Sequence, residues 1–307
     1  KRESMHTNTL EHMDSRDIFV LEADEYRSKM LALRPDIIVL TRVEEDHLDY
    51  YKNLSHIKRE FKKYIGQLGT QGVVIANWED KNIREIAQSA KCSVVRYNYR
   101  DNERAQKIKK VLAVPGVHNL QNALAAYAVG ACLGLSEKQI LAGLGKFKGT
   151  WRRLELIGNC KLPTANYNLP IISDYAHHPT EIKASLQALR EKYPQKRLVL
   201  AYQPHQHNRT KMLFKQFIES FDEADVLILN EIFDVAGREE KSDQNVSSKQ
   251  LAEKIQKRPA WNGKPIFYSK NLGETKKKIK ALAQKNDVLI IMGAGDIDSI
   301  ARGLIMG

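Results

Sequence analysis

The sequence is poor in cysteine, in long apolar runs and in acidic charge. Its 307 residues hold 3 cysteines, Cys92, Cys132 and Cys160. They are widely spaced and odd in number, which excludes a disulfide framework and a Cys-x-x-Cys metal clip and fits a reducing cytoplasm. The longest low-charge apolar stretch runs from Ala123 to Leu135, short of the ~18–20 residues that span a bilayer. No basic segment followed by an apolar one opens the chain, so no secretory leader is expected. The pattern G-x-x-x-x-G-K-[ST] occurs nowhere, which removes a Walker A loop from the reading, and Gly293-Ala-Gly295 lacks the third glycine of a dinucleotide fingerprint. Acidic residues number 37 against 49 basic ones, a formal net charge of +12. The basic residues are dispersed apart from the short runs at 107–110 and 276–280. No nucleic-acid-binding module accompanies them, so an anionic small molecule is the better expectation than nucleic acid.

With 42% apolar and 28% charged residues the chain can bury a core, and its length suggests about two domains. Short apolar runs alternate with helical spacing. Strands are expected at 17–22, 36–41 and 72–76, with helices at 55–66, 81–90 and 119–133. A second series places strands at 171–174, 197–202, 225–229 and 287–292, separated by helices at 179–192, 212–221 and 247–257. Such alternation predicts an α/β protein of two doubly wound, mostly parallel sheets, with ligands at the carboxyl ends of the strands. The polar, glycine-containing stretch Gly145–Trp151 suggests domains at 1–150 and 151–307.

Several clusters lie at the ends of these runs. Glu22-Ala-Asp-Glu25 follows one expected strand and Glu44-Glu-Asp-His47-Leu-Asp49 the next. If those strands are adjacent and parallel, Glu22 and His47 come together as a carboxylate and an imidazole suited to part of a Mg²⁺ shell. Acidic loop ends beside a satisfied histidine would look the same. Asn119 and Asn122 stand three apart at a helix start, where amides suit the edge of an adenine but also serve as caps. Arg152-Arg153 suits a phosphate or a junction ion pair. Asp174-Tyr-Ala-His-His-Pro-Thr-Glu181 and Gln203-Pro-His-Gln-His-Asn-Arg-Thr210 each follow a strand. Their four histidines leave a metal site open as a rival to a carbonyl or carboxylate site lined by His177 and Arg209.

Taken in order, EADEY (22–26), EEDHLDYY (44–51), PGVHNLQNALAA (115–126), RRLE (152–155), DYAHHPTEIKASLQALR (174–190), QPH…RT (203–210) and MGAGDI (292–297) resemble the Mur ligases of peptidoglycan synthesis. The DYAHHPTEI and QPHxxxRT stretches are similar to the alanine-adding branch. The resemblance implies an ATP- and Mg²⁺-dependent amide synthesis in the cytoplasm. In that synthesis the carboxylate of UDP-N-acetylmuramate becomes an acyl phosphate and L-alanine displaces phosphate. It implies Glu22 and His47 on Mg²⁺, and Asn119 and Asn122 on adenine. It implies Arg153 on the nucleotide phosphates, Asp174 on ribose with Tyr175 beside it, and His177 and Arg209 facing alanine and the acyl group. Glu22, His47, His177 and Arg209 are thus the expected catalytic set. It further implies a central ATP-binding domain lacking its P-loop portion, followed by a Rossmann-like amino-acid-binding domain, a chain expected to be inactive alone. Arg42 stands where the family has Asn, and Gln206 where it has Arg. A muropeptide-recycling member and a non-catalytic nucleotide- or muropeptide-binding module remain as alternatives. No nucleic-acid or membrane partner is expected.

Overall fold

The computed structural model describes residues 18–100, 103–161, 168–234 and 245–305. They fall into two compact units: residues 18–113 with Val117–Lys148, and Val114–Gly116 with residues 149–305. Among the described residues no helix is long and apolar enough to cross a membrane.

The first unit runs through a 3₁₀ segment (Tyr26–Ala32), β1 (Ile37–Leu40), α1 (Leu54–Ile65), β2 (Val73–Asn77), α2 (Lys81–Ala87), β3 (Ser93–Tyr97), α3 (Glu103–Val111), α4 (Val117–Cys132) and α5 (Glu137–Lys146). The strands form a parallel sheet in the order β1-β2-β3. Every position of β2 is buried because helices cover both faces. Val74 and Ala76 join Ile57 of α1 and Ile83 and Ile86 of α2 in one core. Val73 and Ile75 face the other way, into a core with Ile108, Leu120, Leu124 and Ile140. The small residues of α4 have a packing reason: a Cβ added at Gly130 would stand 2.9 Å from Ile140 Cγ1, so α4 and α5 approach closely there.

The second unit contains β4 (Glu155–Lys161), β5 (Asn168–Asp174), α6 (Pro179–Lys192), β6 (Arg197–Tyr202), α7 (His207–Met212), α8 (Phe214–Ile218), β7 (Val226–Asn230), α9 (Ser248–Gln256), a short 3₁₀ turn (Pro259–Trp261), β8 (Ile266–Ser269), α10 (Leu272–Leu282), β9 (Asp287–Met292) and α11 (Asp298–Ile305). The sheet order is β4-β5-β9-β6-β7-β8, parallel except for β4 against β5. On one face Val199, Val226, Ile228, Leu289 and Ile291 pack with Ile279 of α10 and Ile300 and Leu304 of α11. At the strand starts Arg197 pairs with its register partner, the buried Asp287, through two 2.8 Å bonds. At the other end Asp174, Met292 and Tyr202 stand in one row. The polypeptide turns from that row into three loops, which carry most of the second unit's candidate residues.

The α/β architecture and the mostly parallel sheets are as expected. The strand expected at 17–22 is not formed over its described part, residues 18–22; Asp17 lies outside the described residues. Phe19 and Val20 are 84% and 86% exposed, and among the described residues β1 pairs only with β2. Apolar composition favours a strand only where a neighbour completes the ladder. The helix expected at 212–221 is instead two short ones, α7 and α8, joined at Leu213.

Leu289 sits fully buried in the central strand β9. Leu289→Ala is expected to cost about 2–5 kcal/mol through lost burial and a residual cavity. Urea unfolding followed by circular dichroism measures it, and a loss below about 1 kcal/mol would contradict this packing.

Candidate active site

In the first unit the candidate residues gather around the loop that follows β1. Polar side chains from the end of β2 and the start of α2 pin its beginning. Asn77 Nδ2 donates to Thr41 O (3.0 Å), Asn82 Nδ2 donates to Val43 O (2.7 Å), and Asp80 Oδ2 accepts from Val43 N (3.1 Å). His47 follows with a left-handed backbone, φ 54°. Its Nε2 lies 2.9 Å from Glu25 Oε1, and its ring centroid lies 4.9 Å from that of Tyr26. Tyr26 Oη donates to Asp49 Oδ2 at 2.8 Å, and Tyr51 Oη donates to Glu25 O. The stretches 22–26 and 44–51 are therefore latched together, with Glu25 on the imidazole and Glu22 exposed to solvent. The strand adjacency expected to bring Glu22 to His47 is missing with the strand itself. Among the described residues no three His, Cys, Asp or Glu side chains are placed to hold a metal ion.

Asn119 and Asn122 lie in the first two turns of α4, on one face, the first half-buried and the second exposed. Gln121 between them donates to Glu79 Oε2 at 3.1 Å, tying the start of α4 to the loop after β2.

In the second unit the three loops beyond Asp174, Met292 and Tyr202 form one continuous edge. Asp174 is 3% exposed. Its Oδ1 accepts from Ala176 N (2.7 Å), and its Oδ2 accepts from Leu154 N (2.9 Å) and Ser185 Oγ (3.2 Å). Both oxygens expected on a ribose thus hold the protein's own loops. Burial pushes this carboxyl up to about 6, although those donors favour its charged form.

Tyr175 follows, with the guanidinium carbons of Arg152 and Arg153 at 4.9 and 5.2 Å from its ring centroid. The His177 ring meets it edge-on at 5.4 Å, and His205 lies 6.1 Å beyond His177. His205 is stacked on Phe233 at 5.7 Å, and Arg209 Nη1 is 3.4 Å from its Nδ1. Tyr175, His177 and Arg209 are therefore brought into one chain of contacts. Its middle member, His205, was not singled out from the sequence; its place among four histidines in two strand-end loops was the available signal. Arg153 also pairs with Glu181 at 3.6 Å. Burial works against the charge of Glu181, but His177 and the amides of His177 and His178 hold its carboxyl below the ordinary value.

The third loop, 293–296, packs against Gln203. A Cβ at Gly295 would stand 2.7 Å from Phe233 Cγ, and one at Gly293 would stand 2.7 Å from Gln203 O. Two glycines let this backbone pass under the edge. The result is a border of imidazoles, an aromatic ring and guanidinium groups, suited to a flat aromatic ligand and to carboxylate or phosphate oxygens.

Comparison with known proteins matches residues 4–130 to the Mur ligase middle domain and residues 152–295 to the Mur ligase, glutamate ligase domain. A UDP-N-acetylmuramate–L-alanine ligase of Clostridium botulinum is 36% identical over 309 residues, covering 93% of this chain and 64% of the relative. One from Desulforamulus reducens is 34% identical over 311 residues, covering 94% and 64%. The chain thus spans less than two thirds of the length of these relatives. Among solved structures, UDP-N-acetylmuramate-alanine ligase MurC from Thermotoga maritima superposes with a TM-score of 0.65 at 24% identity, over 90% of this chain and 60% of that one. A murein peptide ligase from Psychrobacter arcticus gives 0.58 at 20% identity, over 91% and 58%. At these identities the two structures establish the fold alone.

The raised carboxyl of Asp174 has a definite consequence for stability. Its folded value of about 6 exceeds the ordinary 3.8, so the folded state holds the proton more tightly than the unfolded state. The stability of the native protein relative to Asp174→Asn is expected to fall as pH rises from about 4 to about 6, by roughly 3 kcal/mol, and to stay level above that. Parallel denaturation series across pH measure the difference. A difference that is flat or rises with pH over this window would refute the assignment.

Proposed function

The chain belongs to the Mur ligase family, and from that premise we propose that the complete gene product catalyses the ATP-dependent joining of L-alanine to UDP-N-acetylmuramate, this chain alone being inactive. One observation carries the reading: 34% and 36% identity across nearly the whole chain to proteins bearing that activity in their names. The edge described above supports it chemically, since the reaction needs grips for a nucleotide, an amino-acid carboxylate and an acyl group.

A carboxylate is a poor electrophile until one oxygen becomes a leaving group. In the proposed reaction a carboxylate oxygen attacks the γ-phosphorus and ADP departs. The alanine nitrogen then attacks the acyl carbon, phosphate departs, and the nitrogen loses a proton. Negative charge spreads over phosphoryl and tetrahedral oxygens in both steps, so placed cations supply much of the catalysis.

In this reading Arg153, whose side chain is half exposed, meets the nucleotide phosphates. Tyr175 lies against the nucleoside and Asp174 supports it from behind through the amides it accepts. Arg209 grips a carboxylate or acyl oxygen with its planar fork. His177 Nδ1 is 3.2 Å from Tyr175 O. With Glu181 Oε2 3.4 Å from the same nitrogen, these contacts orient the ring that in this reading faces the amino acid. Asn119 and Asn122 offer amide edges for an adenine.

Mg²⁺ belongs to the family's chemistry, and Glu22 and His47 are the donors the sequence offers. The described residues assemble no group of three around them, and Glu25 occupies His47 Nε2. The donor set therefore does not fit a complete site. We place the reaction in the cytoplasm, with its supply of ATP.

The complete gene product, given UDP-N-acetylmuramate, ATP and L-alanine, is expected to release phosphate only when all three are present. Phosphate release that does not depend on L-alanine would sink the assignment. Arg209→Lys is expected to lower kcat/KM for L-alanine at least tenfold, because the ammonium keeps the charge but loses the fork. Unchanged steady-state kinetics would remove Arg209 from the site.

A further inference from the structure

Arg152 combines three features that each cost stability. Its backbone is left-handed, φ 53°, although it carries a full side chain. The residue is 6% exposed, so its guanidinium is taken out of water. Its Nε is buried without a hydrogen-bond partner. The carboxylate facing that Nε, Asp298, has its Oδ1 4.0 Å away; Asp298 is also engaged by the Ser173 hydroxyl and by Arg302 at 3.3 Å. An ion pair as the reason for this burial would call for a closer carboxylate and a satisfied guanidinium.

The contacts of Arg152 show another purpose. One terminal nitrogen donates to Gly293 O and, at 3.1 Å, to Gly295 O. Its guanidinium carbon stands 4.9 Å from the Tyr175 ring centroid. Its backbone oxygen accepts from Tyr175 N at 2.6 Å, and its backbone nitrogen donates to Glu155 Oε2 at 2.9 Å. Turn 152–155, loop 174–178 and loop 293–296 therefore meet on this one residue. Its neighbour Arg153 shares the Tyr175 ring but is half exposed.

We infer that Arg152 is a positioning residue: its buried guanidinium fixes the Tyr175 ring and the Gly293–Gly295 turn in one arrangement, so that Arg153 is left to meet the ligand. The left-handed backbone turns the Arg152 side chain inward and leaves that of Arg153 outside. Both carbonyls are met by one terminal nitrogen, which an ammonium can imitate; what lysine cannot supply is a flat guanidinium held against the Tyr175 ring at the same time. The catalytic part of this inference rests on the proposed ligase function, in which Tyr175 lies against the nucleoside; the structural part does not.

Two measurements test it. Amide hydrogen exchange on the 307-residue chain compares the native protein with Arg152→Lys and Arg152→Met. The amides of Tyr175, Gly293 and Ile297 are expected to exchange at least tenfold faster in both variants, with Val199 and Leu289 in the sheet unchanged. Native-like exchange at the loop amides in the lysine variant would overturn the proposal, as would uniform acceleration throughout the unit. In the complete gene product, Arg152→Lys is expected to raise KM for ATP at least tenfold, with KM for L-alanine within twofold and saturated kcat within threefold. A lowered kcat with both KM values unchanged is the mark of a smaller folded fraction and would overturn the positioning role. Absence of alanine-dependent turnover in the native enzyme would fell the ligase reading alone, and the exchange result would still decide for or against the clamp.

Discussion

Burying a carboxylate in a protein interior is costly unless donors surround it, and the carboxyl edge of the second unit is organised around one such group. Asp174 ends β5 and turns its oxygens on the amides of Leu154 and Ala176 and the hydroxyl of Ser185. Those three partners come from the turn before β4, the loop after β5 and helix α6. The carboxylate thus fixes where the chain leaves the sheet and where the next helix begins. Arg152 does the complementary work as a donor, holding the carbonyls of the 293–295 turn. An acceptor and a donor, both buried, define the loops, and the more exposed Arg153 is carried on the frame they set.

The first unit solves the same problem with neutral and capping groups. Asn77, Asp80 and Asn82 satisfy the backbone of the loop after β1, and Asp80 also caps α2 through the amides of Asn82 and Ile83. Orphan backbone groups at a strand end and at a helix start are met by one short run of residues. The loop is then free to carry His47 in a left-handed conformation and to present it to Glu25.

What was legible in the sequence follows from the same physics. The bounds of β6, β9 and α6 could be read because their residues are dictated by burial: a continuous apolar run for a central parallel strand, and a proline at the first turn for α6. The edge strands β3, β4 and β8 escaped notice because they are short or half-solvated, and half-solvated strands carry polar residues such as Arg96. Helices α10 and α11 were hidden among lysines and glycines. The segment 18–22 erred in the opposite direction, since β composition without a paired neighbour leaves an extended, exposed chain. The motif stretches fall on the loops at the strand ends and on the helix starts that follow them. Sequence could not tell which of Arg152 and Arg153 faces inward, because a one-residue change in backbone handedness accompanies it. Glu25 rather than Glu22 meets His47 because residues 18–22 form no strand beside β1.

The basic surplus divides along the same lines. Arg190, Arg197, Arg258 and Arg302 each meet a carboxylate within hydrogen-bond distance, and Lys58, Lys63 and Lys107 do so at the surface. Such pairs offset charge locally and leave little field at a distance. At the carboxyl edge the balance differs. Arg152 donates to two neutral carbonyls, Arg209 leans on an imidazole, and Arg153 has Glu181 at 3.6 Å. A guanidinium bound to a carbonyl keeps its full positive charge, whereas one bound to a carboxylate is neutralised. An edge built in this way holds its guanidinium groups in fixed geometry, and an anionic ligand gains most from cations already in place. A few placed arginines, and not the short lysine runs, are therefore the cations on which the proposed function draws.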